Sequence, residues 1–260
     1  MIAGRAGIVT GASRGLGRAT ALVLAARGAD VVACARDEAA LAQTANLANG
    51  LPGRVITQRC DVTVEGDVVA AVRRCERDLG PLRDVVANAG HQVERRLHET
   101  TNDDWAAVEA VNARGVFWCA KHSIEAMLEH GLGGSIVVVA SAVSLTADPN
   151  LAAYTSSKHA ALGIVRTIAA DRGYAAVGIR ANAVCPGDME TPMVRQYLDS
   201  HDDPERARRE IESAYPGERI AAPEEVAAVI AFLVSDDASF MTGAPVPVDG
   251  GILSTLYTHA

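Results

Sequence analysis

Gly7-Ile8-Val9-Thr10-Gly11-Ala12-Ser13-Arg14-Gly15-Leu16-Gly17 is the stretch on which the reading of this chain turns. A short apolar run at 6–10 leads at once into a turn with glycines at 11, 15 and 17, and a helical pattern follows over 15–27. The spacing is G-x-x-x-G-x-G, longer than the G-x-G-x-x-G dinucleotide fingerprint. The physics is shared. Glycines let the backbone pass close to a pyrophosphate, and a helix N-terminus presents free N–H groups and positive potential to it. The plainer alternative is a tight strand–helix turn that holds no ligand.

Outward from that turn, apolar runs at 30–35, 54–59, 84–87, 134–140, 178–183 and 245–248 alternate with amphipathic stretches at 38–48, 64–79, 103–130, 152–174 and 223–233. Strands alternating with helices predict βαβ units and a parallel sheet covered on both faces. Right-handed crossovers then give a doubly wound α/β fold of about seven strands. Thr101-Asn102-Asp103-Asp104 offers a helix cap and N-terminal acids, and Pro223-Glu224-Glu225 opens another helix. No linker or shift of composition divides the chain, so residues 1–260 are expected to form one domain. The region 188–220 is charged and broken by Pro204, Pro216 and Gly217. It reads as an inserted helical loop, either a lid over a site or a solvated excursion.

The bulk numbers set limits. A formal charge of −8 gives no electrostatic support for a nucleic-acid partner. Apolar residues make up 49% of the chain, ample for a core, but aromatics are only 4%. Small aliphatics therefore dominate, as suits parallel strands buried on both faces. Cys34, Cys60, Cys75, Cys119 and Cys185 are scattered, odd in number and without metal-ligand spacing. They read as reduced, in a cytoplasmic protein without a bound metal. No signal peptide precedes the first strand, and no apolar run approaches the ~20 residues of a membrane span.

The chemistry is suggested by Tyr154 and Lys158, with Ser141 thirteen residues before the tyrosine. Residues i and i+4 share a helix face, so the phenol and the ammonium project into the same space. A free tyrosine titrates near ~10, and a neighbouring cation favours its phenolate. Ser141 ends a strand-like run, where open α/β sheets bind their ligands. Alone, the pair reads more readily as packing than as catalysis.

Taken together, these motifs resemble the short-chain dehydrogenase/reductases, in their compact single-domain branch. The resemblance runs from Ile8 to Gly251. It rests on Thr10-Gly11-x-x-x-Gly15-x-Gly17, Asp61-Val62, Asn88-Ala89-Gly90, Asn112, Ser141, Tyr154-x-x-x-Lys158, Pro186-Gly187 with Thr191, and Asp249-Gly250-Gly251, in the family's order. Ala87 departs from it where many members carry a second Asn. The resemblance implies a Rossmann-like fold and hydride transfer between a nicotinamide cofactor and a ketone or secondary alcohol. Tyr154 would be the general acid and base, Lys158 would hold the ribose and favour the phenolate, and Ser141 would polarise the substrate oxygen. Asn112 would anchor a water in a proton relay. Gly11, Ser13, Arg14, Gly15, Leu16 and Gly17 would surround the pyrophosphate, Asp61 and Val62 the adenine, and Asn88, Ala89 and Gly90 the middle of the cofactor. Pro186, Gly187, Met189 and Thr191 would contact its nicotinamide end. The resemblance also implies a homotetramer or homodimer. Val111, Val116, Phe117, Trp118 and Ile124 are more apolar than one core-facing stripe needs, and the tail 252–257 would pack near a second interface.

Cofactor choice hangs on the end of the second strand. An acid there would bind the ribose of NAD, but the position is Ala35, followed by Arg36. Arg36 and Arg14 suit a 2′-phosphate, so NADP(H) is expected ahead of NAD(H). Asp37 is the counter-argument, since it could pair with Arg36 or reach the ribose. A non-catalytic dinucleotide-binding protein or a structural subunit of the same fold stays open. Residues 142–151, 91–94 and 188–220 would face a small-molecule substrate whose identity the sequence leaves open. Within them His91, Gln92, Glu94 and Asp188 supply polarity, and Val143, Leu145, Leu151 and Met193 apolar walls.

Overall fold

In a computed structural model that describes residues 2–255, Ala6–Thr10 (β1) is buried along its whole length because other strands flank it on both sides. The remaining strands are Asp30–Ala35 (β2), Val55–Arg59 (β3), Leu82–Ala87 (β4), Gly134–Val139 (β5), Ile179–Pro186 (β6) and Pro245–Val248 (β7). They form one seven-stranded sheet in the order β3-β2-β1-β4-β5-β6-β7. Every pairing is parallel. The chain builds outward from β1 in one direction and resumes beside it with β4. Carboxyl ends of strands flanking such a reversal leave a crevice.

Helices cover both faces, as the alternating pattern predicts. Gly15–Ala26 (α1), Glu38–Leu47 (α2) and Pro223–Val234 (α10) enclose one core with Val9, Val31, Val86, Val137 and Val184. Glu65–Asp78 (α3), Val116–His130 (α5) and Ala152–Ala170 (α6) enclose the other, with Ile8, Val32, Val85, Ile136 and Ala183. Alternate residues of one strand thus feed opposite cores, as strand pleating requires. No helix of the described residues is long and apolar enough to cross a membrane.

The expected helix at 103–130 is interrupted. Asn102–Glu109 (α4) starts from a capping box of Thr101 and Asp104, and a π-helical turn, Ala110–Gly115, joins it to α5. Val116 and Ile124 lie in the core, Val111 and Trp118 pack against it, and the Arg114 guanidinium sits 5.3 Å above the Trp118 ring. The apolar surplus read from the sequence therefore reduces to Phe117, 49% exposed. The π turn rotates the helix face, which a 3.6-residue period does not register. The stretch 152–174 also divides, because the Asp171 side chain caps a new helix, Arg172–Ala176 (α7). Strand β6 runs on to Pro186, since Cys185 and Pro186 still find partners in β7. The inserted region holds two helices, Pro192–Asp199 (α8) and Pro204–Ser213 (α9). Of the tail 252–257, Leu256 and Tyr257 lie outside the described residues.

The glycine turn needs its glycines for packing as well as for any ligand. A Cβ on Gly17 would fall onto the Gly11 carbonyl oxygen and 2.5 Å from Asn88 Nδ2, whereas one on the exposed Gly163 of α6 meets nothing within 4 Å. Gly17→Ala should cost about 1–3 kcal/mol as overpacking does. At roughly 2–4 °C per kcal/mol for a chain of this size, Tm should fall by several degrees. Gly163→Ala should raise Tm, because alanine is favoured by about 1 kcal/mol inside a helix. Thermal scans of the two variants that moved together would contradict this packing account.

Candidate active site

Thr10 ties β1 to β4 at the reversal. Its Oγ1 accepts hydrogen bonds from the Asn88 and Ala89 amides at 3.0 and 3.1 Å. Asn88 Nδ2 answers by donating to the Thr10 carbonyl at 2.8 Å. In the sequence Thr10 is legible as a strand end and as the start of the glycine motif, but it has no role of its own there. Beyond the knot a cleft of about 1640 Å³ opens over the carboxyl ends of the strands.

One half of the cleft is lined by Gly11, Ser13, Arg14, Gly15, Leu16 and Gly17, and by Arg36, Asp61, Val62, Asn88, Ala89 and Gly90. Ser141, Tyr154, Lys158, Pro186, Gly187, Met189 and Thr191 line the other half. The residues selected in the sequence are thereby brought together, with one exception, Asn112. Leu145, expected as an apolar wall, does not line the cleft either, whereas Val143, Leu151 and Met193 do.

The cleft suits a dinucleotide on its own geometry. The residue preceding α1, Arg14, is extended and makes no side-chain cap, and the first turn of α1 carries no acid. The opening amides of the helix are left for an anionic ligand, beside bare backbone at Gly11 and Gly15. Arg18 holds this turn against α2, donating to Thr44 Oγ1 at 3.0 Å and to the Ala40 carbonyl at 3.2 Å. Arg14 and Arg36 are exposed, and neither guanidinium has a hydrogen-bond or ion-pair partner among the described residues. Asp37 is already engaged: its Oδ1 accepts from the Ala40 amide at 3.0 Å and caps α2. Burial alone would raise the Asp61 carboxyl, but two hydrogen bonds from Thr63, with Arg36 and Arg59 nearby, hold it below the usual range.

In the other half, Ser141 follows β5 and caps a short turn over Ala142–Ser144. Tyr154 and Lys158 lie one turn apart on α6, with Lys158 Nζ 5.4 Å from the centre of the tyrosine ring. Lys158 is only 3% exposed, and its Nζ donates to the Val139 carbonyl at 2.8 Å. Burial pulls the lysine down to about 8. The tyrosine departs from expectation. Burial pushes its hydroxyl up to about 12, opposed by the Ser141 hydroxyl and reinforced by the charge of Asp188. Among protein groups alone, therefore, Lys158 does not bring the phenol below its ordinary value. Desolvation disfavours the charged forms of both groups.

Asn112 is wholly buried in the π turn and does not line the cleft. Its Oδ1 accepts from the His91 amide at 2.8 Å, and its Nδ2 donates to the His91 carbonyl at 2.8 Å and to Ser157 Oγ at 3.0 Å. Ser157 Oγ in turn donates to the Tyr154 carbonyl at 2.8 Å. Both amide protons are thus spent on protein partners. The side chain joins the loop after β4 to the helix of Tyr154 and Lys158, and Ser157 and His91 are links that the sequence did not single out.

A buried lysine costs stability while it is charged. Between the folded value of about 8 and the ordinary 10.5, the unfolded chain binds the extra proton, so stability rises with pH across that window. Below about 8 the full penalty of burying the cation applies. Lys158→Met removes it, about 3 kcal/mol for a shift of this size, and loses one hydrogen bond of roughly 1–2 kcal/mol. The variant should melt a few degrees above the wild type at pH 7, and the gap should close as pH rises from 8 toward 10.5. A gap that is constant with pH would show that the lysine is not held in this state.

Comparison with known proteins places this geometry. The family model described as enoyl-(acyl carrier protein) reductase matches residues 11–253. The 3-oxoacyl-(acyl-carrier-protein) reductase FabG of Thermotoga maritima is 36% identical over 250 residues, covering 96% of this chain and 98% of that protein. The 2-(R)-hydroxypropyl-CoM dehydrogenase of Xanthobacter autotrophicus is 39% identical over 250 residues, covering 95% and 97%. The crystal structure of levodione reductase superposes with a TM-score of 0.91 at 33% identity, covering 99% of this chain and all of that one. With the glycine turn, the parallel sheet and the cleft at its reversal, these likenesses show that the chain belongs to the short-chain dehydrogenase/reductase family and is an NAD(P)-dependent oxidoreductase of alcohol and carbonyl groups.

Proposed function

We propose that this protein is a cytoplasmic NADP(H)-dependent enzyme that interconverts a ketone and a secondary alcohol of small size. The observation that carries the reading is the convergence of Ser141, Tyr154 and Lys158 on the cleft that the glycine turn also lines. A protein that only bound a dinucleotide would need neither Ser141 nor Tyr154 there. The whole chain acts as one unit, with residues 188–220 bordering the substrate end.

When bound, the nicotinamide ring supplies the hydride donor or acceptor. The protein residues do the rest. Tyr154 gives its phenolic proton to the substrate oxygen in reduction and takes one back in oxidation. Ser141 donates a hydrogen bond to the same oxygen, and this bond strengthens as negative charge develops there. With the cofactor in place, Lys158 would hold the ribose hydroxyls, and its charge would favour the phenolate against the burial that raises it among protein groups alone. Asn112 acts at one remove, by holding the turn and, through Ser157, the carbonyl of Tyr154. Tyr154→Phe keeps the ring and should leave nucleotide binding nearly unchanged. It should lower kcat by at least the 10²–10⁴-fold typical of general acid–base catalysis. A variant that keeps most of its turnover would return the protein to the class of binders.

The NADP preference is supported by the two unpartnered arginines, by Ala35 at the end of β2, and by the engagement of Asp37 as a helix cap. A charge-assisted contact is worth roughly 1.5–3 kcal/mol. The ratio of kcat/KM for NADPH over NADH should therefore exceed about 10 and fall sharply in Arg36→Leu. Ala35→Asp should shift it toward NADH. A wild type that prefers NADH, with Arg36→Leu leaving the ratio unchanged, would reverse the assignment.

A further inference from the structure

The substrate end of the cleft has a sign. Glu94, Asp148 and Asp188 line it, and no lysine or arginine from 141–151 or 186–200 does. Of the cations that line the cleft, the three arginines are elsewhere and Lys158 is buried at its floor. Arg14 and Arg36 flank the glycine turn, Arg114 lies over Trp118, and Lys158 is bonded beneath Tyr154 to Val139.

Asp188 is held more firmly than an exposed loop acid. Its amide donates to Tyr215 Oη at 2.6 Å, and Tyr215 Oη donates to Asp188 Oδ2 at 2.8 Å. Its carbonyl accepts from the Ala221 amide at 3.0 Å, and the Glu190 amide donates back to the Ala221 carbonyl at 2.9 Å. Tyr215 itself is 4% exposed and packed against two glycines. A Cβ on Gly187 would stand 2.8 Å from Tyr215 Oη, and one on Gly250 would stand 3.0 Å from its ring. The tyrosine's one hydroxyl proton is thus committed to Oδ2. Asp188 Oδ1 has no partner among the described residues and belongs to a side chain open to the cleft. Asp188 is also near enough to Tyr154 for its charge to act on the phenol.

We propose that Asp188, positioned by Tyr215, is a specificity-determining residue that accepts a hydrogen bond from a hydroxyl or ammonium group on the substrate, next to the reacting carbon. The preferred substrates are uncharged or cationic carbonyl and carbinol compounds that carry such a donor. Compounds bearing a carboxylate, sulfonate or phosphate near that carbon meet an unpaired acid and are turned over poorly. The inference rests on the oxidoreductase reading above and names the substrate class of that site. Hydroxyl and ammonium donors share the chemistry, and the variants below separate them.

The test is a matched set on one ring, which suits the apolar walls Val143, Leu151 and Met193. The compounds are cyclohexane-1,2-diol, 2-aminocyclohexanol, cyclohexanol and 2-hydroxycyclohexanecarboxylate, each oxidised with saturating nucleotide. Wild-type kcat/KM should be at least about 10-fold higher for the diol or the amino alcohol than for cyclohexanol, as one good hydrogen bond allows. The carboxylate should rank last. Asp188→Leu should erase the advantage over cyclohexanol and narrow the gap to the carboxylate. Asp188→Asn keeps an acceptor, so it should spare the diol and penalise the amino alcohol, and it serves if the leucine variant fails to fold. Tyr215→Phe should raise KM for the diol more than it lowers kcat, with cyclohexanol little changed, which a merely structural tyrosine would not do. Nucleotide binding, followed by fluorescence, should be the same in every variant. A wild type that prefers the carboxylate, or Asp188 variants with unchanged ratios, would overturn the proposal alone. No turnover of any compound by a protein that still binds nucleotide would overturn the oxidoreductase reading and this proposal together.

Discussion

Thr10 and Asn88 clamp two neighbouring strand ends together at the point where the order of the parallel strands reverses, and the cleft opens beyond them. Side chain and backbone satisfy one another there, so the polar groups at the ends of β1 and β4 are paired without bridging the crevice. The glycine turn is packed directly on this knot. Gly11 and Gly17 approach it so closely that no side chain fits, which fixes the first turn of α1 where its amides face the opening. The alternation of strand and helix puts the remaining residues around that opening, since each strand delivers its last residue to the same edge of the sheet.

Burial sets the terms on which the chemical groups operate. Lys158 is sunk beneath the cleft with a single carbonyl partner, and Tyr154 is raised by the same desolvation that lowers the lysine. The two are neighbours whose charged forms are both disfavoured among protein groups alone. Such a pair is costly to keep buried. The π turn at Asn112 belongs to the same economy. It gives up regular helix geometry so that one amide can bind the loop after β4 and the serine beneath Tyr154.

The cleft is electrostatically divided along its length. Arg14 and Arg36 line the glycine-turn half together with Asp37 and Asp61, whereas the half around Tyr154 carries Glu94, Asp148 and Asp188 and, as its cation, the buried Lys158, within a protein of net charge −8. Among these carboxylates Asp188 is braced by a tyrosine that reaches it from the far end of the inserted region.

Much of this was legible in the chain itself. Alternating apolar runs specified a parallel sheet, because strands buried on both faces must be apolar throughout. The glycine spacing and the i, i+4 relation of Tyr154 and Lys158 are local, so they could be read without knowing what lies across the fold. The structure decided what depends on distant partners. Thr10 had no role of its own until Asn88 came beside it, and Asp37 was open to Arg36 or a ribose until it capped α2. Tyr215 pairs with Asp188 across 27 residues of inserted chain. The shift of Tyr154 upward rather than downward follows from burial, and burial belongs to the whole fold rather than to any stretch of sequence. Periodicity records which face of an element turns inward. Only the tertiary structure decides which polar groups meet there and how much water they keep.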